Sequence, residues 1–288
     1  MPCALWGGTW VAVKVAQAAG LGPLWFAALR SLPAGVILAA LAALAGRFRL
    51  PDREDLPALA AMAVTTALFF GLTFLGAQRL SGALSSLLAN SSPLFAVALA
   101  ALIDHEPVDA LAVGGVVLGA VGVVIIALPA LAGAPGDLVA MGTMLLGALA
   151  LSFNVIAMKR ASHLEPMVAN AAQMLGAGVI LGVVALASHE VLPLRPDLAT
   201  VGAVAYVSLL GTAFAYVLWS RALVLLSVST ASAMLFFVPV FGHVWSWVFL
   251  HEPVVPSEVL GAAIAVAGIG LAAAGAARAG VTPPLEPE

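Results

Sequence analysis

His105-Glu106-Pro107-Val108 recurs as His251-Glu252-Pro253-Val254, 146 positions further along the chain. At the same shift Thr66 meets Thr212, Leu80-Ser81 meets Leu226-Ser227, Ser86 meets Ser232, Pro93 meets Pro239, Phe95 meets Phe241 and Lys14 meets Arg160. Val113, Gly115 and Gly122 meet Val259, Gly261 and Gly268, all in one register without a gap. Ala, Leu, Val and Gly matches carry little weight in this composition. The proline, serine and His-Glu-Pro coincidences carry more, and they define two copies of one unit.

Each copy is built for lipid. Of 288 residues, 63% are hydrophobic and 9% charged, with a mean hydropathy of +1.13; a water-facing domain carries about 25% charged residues. The 11 Lys+Arg and 14 Asp+Glu cannot cover a soluble surface, which excludes a cytoplasmic enzyme and a disordered chain. A net charge of −3 offers no phosphate-tracking face, so no nucleic-acid partner is expected. Cys3, the single cysteine, supplies neither an internal disulfide nor a thiolate metal site. No phosphate loop, His-Glu-x-x-His helix or Gly-x-Ser-x-Gly elbow is present, so no cofactor, metal or ATP-driven step is expected.

A hydrocarbon core about 30 Å thick takes roughly 20 apolar residues per helix. Apolar runs between charged or Pro/Gly-rich breaks predict helices at roughly 3–19, 24–46, 56–78, 82–102 and 109–129. A second set falls at roughly 137–157, 167–187, 198–220, 229–250 and 255–276. Barrel strands are excluded, because stretches such as 113–132 show no alternation. Five helices per copy is an odd number, so the second copy enters the membrane from the opposite side. The expected fold is an all-α polytopic membrane protein with ten transmembrane helices as two inverted five-helix repeats. Residues 1–133 and 134–276 form the repeats, and 277–288 a disordered C-terminal tail. The first helix starts almost at Met1 without a basic leader or a cleavage site, so it reads as a span, with the true start expected a few residues upstream. Arg47, Arg49, Arg53, Lys159, Arg160, Arg221 and Arg278 fall on one side of this topology and only Arg79 and Arg195 on the other. The bias puts both termini in the cytoplasm. Inverted repeats are an architecture of secondary transporters, with the substrate near the midplane between the halves.

Trp6-Gly7-Gly8-Thr9-Trp10 followed by Lys14, then Arg30 in the next helix, resembles the opening of the drug/metabolite transporter superfamily in its EamA-type ten-helix branch. So do Ala83 to Pro93 leading to Glu106, and Ser229 to Pro239 leading to Glu252, each followed by spaced glycines. The resemblance covers nearly the whole chain. It implies two EamA repeats in an inner membrane, exporting or exchanging small metabolites, amino acids prominent among them. It further implies a central cavity lined by the first, third, fourth, sixth, eighth and ninth helices. Ser152-Phe153-Asn154 departs from the pattern, standing where a tryptophan is common.

Polar groups within spans are costly and face the protein interior. Lys14 and Arg30 read either as a positive patch for a carboxylate or as long side chains reaching to the interface. Asn90-Ser91-Ser92-Pro93 predicts a midplane kink, since the proline removes one helix bond. Ser86 and Ser232 read as ligand groups or as hydroxyls bonded to their own backbone. Trp10, Phe70, Phe74, Tyr216, Trp219 and Phe236 are candidate walls of an apolar pocket, or core packing. Asn154 is a stronger candidate because its amide is hard to leave unpaired in lipid, and His243 is alone in its span. Glu106 and Glu252 read as structural, each before the N-terminus of its following helix. Small residues at Gly115, Gly119, Gly122 and at Gly261, Ala265, Gly268 are packing surfaces, within one chain or between two, leaving a monomer or a homodimer open. A lining of one cation, two amides and aromatic faces suits a zwitterion with an apolar side chain. A hydrophobic cation is the alternative; a membrane-embedded enzyme or a scaffold without transport is more distant.

Every Asp and Glu falls in or near a predicted loop, the tail or a helix end, so the mid-membrane carboxylate used by many ion-coupled carriers is missing. The topology is checked with reporter fusions at Gly133 and at Glu288, which are expected to report opposite compartments. Agreement between the two would break the ten-helix arrangement.

Overall fold

The computed structural model describes residues 2–103, 110–131, 135–161, 163–193, 196–218 and 237–278. They form α1 (Pro2–Ala18), α2 (Pro23–Leu44), α3 (Leu56–Gly76), α4 (Gly82–Ala89), α5 (Ser92–Ile103) and α6 (Ala110–Leu131). The second half has α7 (Pro135–Arg160), α8 (Pro166–Ala187), α9 (Leu198–Ala205) running into a π-helical stretch (Tyr206–Phe214), α10 (Phe237–Leu250) and α11 (Pro256–Arg278). Six helices among the described residues are long and apolar enough to cross a membrane, and no strand occurs among those residues. Large apolar side chains such as Val117, Leu146, Val179 and Phe249 point outward, as expected of helices solvated by lipid rather than water.

Helix starts follow local chemistry. Prolines stand in the first turn of α2, α3 and α8, where the missing N–H costs nothing. Ser81, Glu165 and Asp197 accept from the N–H of Leu84, Val168 and Thr200 at 3.1, 2.9 and 2.8 Å, capping α4, α8 and α9. Gly20 and Gly46 follow the ends of α1 and α2 at φ +82° and +67°, a left-handed turn that glycine adopts without strain.

The fourth span, expected as one helix, is two. The chain leaves helical geometry at Asn90-Ser91 and resumes at Ser92, because Pro93 has no N–H to give. Side chains add bonds at the break: Asn90 Nδ2 donates to the Ser86 carbonyl at 2.6 Å and Ser91 Oγ to the Leu88 carbonyl at 2.7 Å. Ser152 Oγ on α7 donates to the Ser92 carbonyl at 2.7 Å. The eighth span also differs, since nothing in its residue pattern announces the π-helical stretch.

The two halves are related by a pseudo-two-fold axis that individual contacts locate. A Cβ on Gly178 would meet the Leu32 side chain at 2.7 Å, and residue 178 is the repeat mate of residue 32 at the 146-residue shift. Two mates in mutual contact lie on the axis, so α2 and α8 cross there. In the α6–α11 pair a Cβ on Gly122 would meet Ala265 N at 2.5 Å, and one on Gly268 would run into Gly119 N. The shift exchanges these two contacts, which run antiparallel, so this pair also straddles the axis. An axis relating antiparallel helices lies across them, in the membrane plane, and the repeats are inverted.

Packing sorts the remaining helices into two bundles. In one, α1 lies on α10 and on α9 with its π-helical stretch, which also meets α2. In the other, α3 lies on α7 and α8, and α4 and α5 on α7. The shift carries each bundle onto the other. They meet through α2–α8 and α4–α10, while α6 and α11 pair mainly with each other.

Gly268 supplies a direct check on the α6–α11 contact. Gly268→Leu would force a side chain against backbone that cannot move aside, a cost of about 1–3 kcal/mol or more. Thermal unfolding of the detergent-solubilised variant is expected several degrees below the parent, whereas Gly114→Leu, where a Cβ meets nothing, is expected to be neutral.

Candidate functional site

Arg30 is two residues from Leu32 on the axis, about 3 Å along the helix, and is 5% exposed. Its guanidinium carbon lies 4.3 Å from the centroid of the Phe70 ring and 5.7 Å from that of Phe74, both on the opposite bundle. Nη2 donates to Thr212 Oγ1 at 2.8 Å, and Nε is buried with no hydrogen-bond partner. Among the described residues no carboxylate pairs with it. A charge at the centre of a membrane helix costs about 2.5–3.5 kcal/mol on insertion scales. One charge-assisted hydrogen bond returns about 1.5–3 kcal/mol, and a desolvated aromatic face about 2 kcal/mol. Arg30 is therefore tolerated by this pocket and not neutralised in it. Its depth and burial remove the reading of a side chain reaching for the interface.

The helices around Arg30 are specialised. Pro33 removes the bond that would fall on the Leu29 carbonyl, and Ser208 Oγ donates to that oxygen at 3.3 Å. Ser208 and Thr212 both belong to the π-helical stretch, where Thr212 Oγ1 donates five residues back to the Val207 carbonyl at 2.7 Å. Short π segments collect at functional sites because they widen a helix and free backbone groups. The repeat mate of this interface is built differently. Gly176 stands in place of Arg30, and a Cβ there would meet Ala63 at 2.6 Å. Val179 stands in place of Pro33, and α3 is regular where α9 is not. Thr66, the mate of Thr212, accepts from Asn154 Nδ2 at 3.0 Å and donates to Gln173 Oε1 at 3.2 Å. One interface is close-packed and internally paired; its mate holds a cation with no carboxylate partner among the described residues.

Aromatic rings cluster beside Arg30. Trp10 meets Phe74 edge-on at 6.0 Å, Phe26 lies 5.5 Å from Phe74, and Phe70 stacks on Phe74 at 5.8 Å. Tyr216, within electrostatic reach of Arg30, meets Trp6 edge-on at 6.2 Å. Trp10, Phe70, Phe74 and Tyr216, four of the residues singled out in the sequence, thus gather around one cation, which is Arg30 and not Lys14.

The other candidates sit elsewhere. Lys14 Nζ donates to the Ala77 carbonyl at 2.5 Å and Gln17 Nε2 to that of Phe74 at 2.9 Å, closing the C-terminal end of α3, where a cation suits the helix dipole. Asn154 Nδ2 lies within 3.3 Å of the Met62 carbonyl, Thr65, Thr66 and Gln173, and Gln173 donates on to Asn170 at 2.5 Å. This knot binds α3 to α7 and α8, away from Trp10. Asn90 is bonded to its own helix, as above. Ser86 is fully buried against Gly242 with its hydroxyl unpartnered. His243 Nδ1 lies 3.0 Å from the Pro239 carbonyl, leaving Nε2 buried without a partner. Trp219, Ser232, Phe236 and Glu106 lie outside the described residues.

Glu252 corrects its expected role. It does not cap its own following helix; its carboxylate accepts from Gly82 N at 2.7 Å and Ala83 N at 3.2 Å, at the start of α4. Glu190 does the same for α2, accepting from Leu24 N at 2.9 Å and Trp25 N at 3.2 Å. The tight turn at His251, with φ +55°, directs the chain so that Glu252 reaches across. At the opposite face His163 Nε2 lies 2.6 Å from Asp55 Oδ1, and the Asp55 carboxyl is held below its ordinary range, chiefly by that hydrogen bond.

Inverted five-helix repeats around a buried polar site at the midplane define a secondary-transporter architecture. The comparisons specify which. The profile of the EamA-like transporter family matches residues 1–128 and 138–274, and the chain belongs to that family; it is a multi-pass membrane transporter and not an enzyme. It is 28% identical over 283 residues to the WAT1-related protein At3g02690, chloroplastic, of Arabidopsis thaliana, covering 93% of this chain and 66% of that protein. It is 26% identical over 269 residues to the uncharacterized transporter YoaV of Bacillus subtilis, covering 92% and 91%. It is likewise 26% identical over 268 residues to protein PecM of Dickeya dadantii, covering 90% and 85%. A solved crystal structure superposes with a TM-score of 0.68 at 19% identity, covering 94% of each chain, a likeness of fold.

Proposed function

We propose that this transporter moves amino acids or related small carboxylate-bearing metabolites across an inner membrane, both termini cytoplasmic, by alternating access between its two bundles. The observation that supports this is an asymmetry between repeat mates. On the outer face Lys14 and Gln17 tie α1 to α3, and Glu252 ties the α10–α11 turn to α4; each link joins one bundle to the other. Among the described residues their mates on the inner face, Arg160 and His163, make no such link: Arg160 is exposed and His163 pairs with Asp55, while the mates of Ala77, Phe74 and Glu252 lie outside those residues. The aromatic closure is equally one-sided, because Trp10 and Phe26 have Ile156 and Ala172 as mates. Exchanging the two halves' conformations would shut the inner face and open the outer. Aromatic walls around a cation suit a zwitterion with an apolar side chain, whereas a hydrophobic cation would be repelled by Arg30. The acidic groups among the described residues stand in loops, at N-caps or in first turns, which favours facilitated diffusion or exchange over ion coupling.

Proteoliposomes are expected to equilibrate radiolabelled L-phenylalanine faster than protein-free liposomes without an imposed ion gradient; equal rates reject the amino-acid reading. The outer link is tested separately in a Cys3→Ser background carrying Ala77→Cys, a fully buried position at the outer end of α3. Glu252→Gln weakens two charge-assisted bonds, so labelling by a membrane-impermeant thiol reagent is expected to rise roughly tenfold. Unchanged labelling would separate Glu252 from closure.

A further inference from the structure

We infer that Arg30 is the anchor for the substrate's anionic group, in a site made by Arg30 and Thr212 with Phe70 and Phe74 as its apolar wall. The inference rests on the transport reading above and names the substrate class for it: a small monocarboxylate or zwitterion with an apolar body. Three independent observations converge. The guanidinium is buried near the pseudo-two-fold axis with one hydroxyl acceptor and an unpartnered Nε, so a carboxylate can take bonds that no described protein group takes. A guanidinium presents its donors as a planar fork that a carboxylate matches with two parallel bonds. The guanidinium carbon lies 4.3 Å over the Phe70 ring. Finally, the repeat-mate interface, with Gly176 and regular α3, is closed and internally paired. Shape and charge are relaxed only on the Arg30 side, where α9 widens into its π-helical stretch. Packing alone requires no such departure, because the mate packs without it.

Arg30 also touches both bundles, being bonded to Thr212 on its own and stacked on Phe70 of the other. A carboxylate taking the guanidinium edge therefore adds its bonds where the bundles meet, and binding and bundle movement share one side chain.

The test uses the full chain in nanodiscs with four probes: L-phenylalanine, its amide, phenylacetate and phenethylamine. Wild-type protein is expected to be protected against thermal unfolding by L-phenylalanine and phenylacetate, and not by the amide or phenethylamine. Arg30→Gln is expected to weaken phenylacetate binding roughly ten- to hundredfold and to erase the preference for the acid over the amide. Arg30→Lys should keep that preference at reduced affinity, since charge is retained and the fork lost. If Arg30→Gln does not fold, Thr212→Val decides, because it frees the guanidinium while keeping its charge, and a changed phenylacetate affinity is expected. Protection by phenylacetate without L-phenylalanine transport leaves the anion site standing and removes the amino-acid reading. L-phenylalanine transport with equal acid and amide affinity, or with affinity untouched in Arg30→Gln and Thr212→Val, overturns the anion site and leaves transport standing.

Discussion

In hydrocarbon no water is available to satisfy a backbone N–H or C=O, and each one left unpaired costs several kcal/mol. That constraint organises nearly every polar contact in this protein. Where a helix stops, starts or breaks, a side chain from the same or another segment often arrives to pair its end groups. Glu190 and Glu252 serve the first amides of α2 and α4, Lys14 and Gln17 the last carbonyls of α3, Ser208 the Leu29 carbonyl released by Pro33, and Ser152 the Ser92 carbonyl beside the break before Pro93. Several of these links join the two bundles. On the alternating-access proposal, the links between bundles, among them those of Lys14 and Glu252, are the ones that exchange partners when the bundles move.

The inverted repeat places equivalent interfaces on the two sides of its axis, and its imperfections distinguish them. α6 and α11 pack through small residues that let backbones touch, as lipid-embedded helices do when no hydrophobic force drives them together. The α3–α8 interface is an amide and hydroxyl knot with its donors paired. The α2–α9 interface, its mate, has an arginine for a glycine, a proline for a valine and a π-helical stretch for a regular helix. A cation held near the midplane by one hydroxyl and two rings is energetically tolerable and chemically incomplete. The inferred anionic ligand would complete it.

Much of the architecture was legible in the residues. The His-Glu-Pro recurrence, the 146-residue register and the apolar run lengths give ten crossings and inverted halves, because lipid imposes a length and a parity that leave few alternatives. Side-chain partners were not legible. Lys14, expected beside a substrate, is bonded to Ala77, and Glu252 caps a helix 170 residues away in sequence; one-dimensional spacing cannot show which helix end a loop carboxylate meets. The break at Asn90-Ser91 was announced by Pro93, whereas the π-helical stretch had no composition signal. Arg30 was visible as a charge in a span, but its depth was not, because reading the repeat for its matches passes over its mismatches. The pairs Arg30 with Gly176 and Pro33 with Val179 were available from the same alignment of the two halves, and they mark the site.

Alternating access as proposed has the two bundles rock about the axis through Leu32 and Gly178, so that the outer and inner faces open in opposition. Spin labels report this directly when placed, in a Cys3→Ser background, at Ala19 and Arg79 across the outer face and, in a second sample, at Ala45 and Pro166 across the inner face. With L-phenylalanine on both sides of the membrane, each pair is expected to show two distances. The fraction of long outer distances should equal the fraction of short inner ones, and Glu252→Gln should raise both together. A single unchanging distance for either pair, or outer and inner distances that lengthen together, would contradict the account.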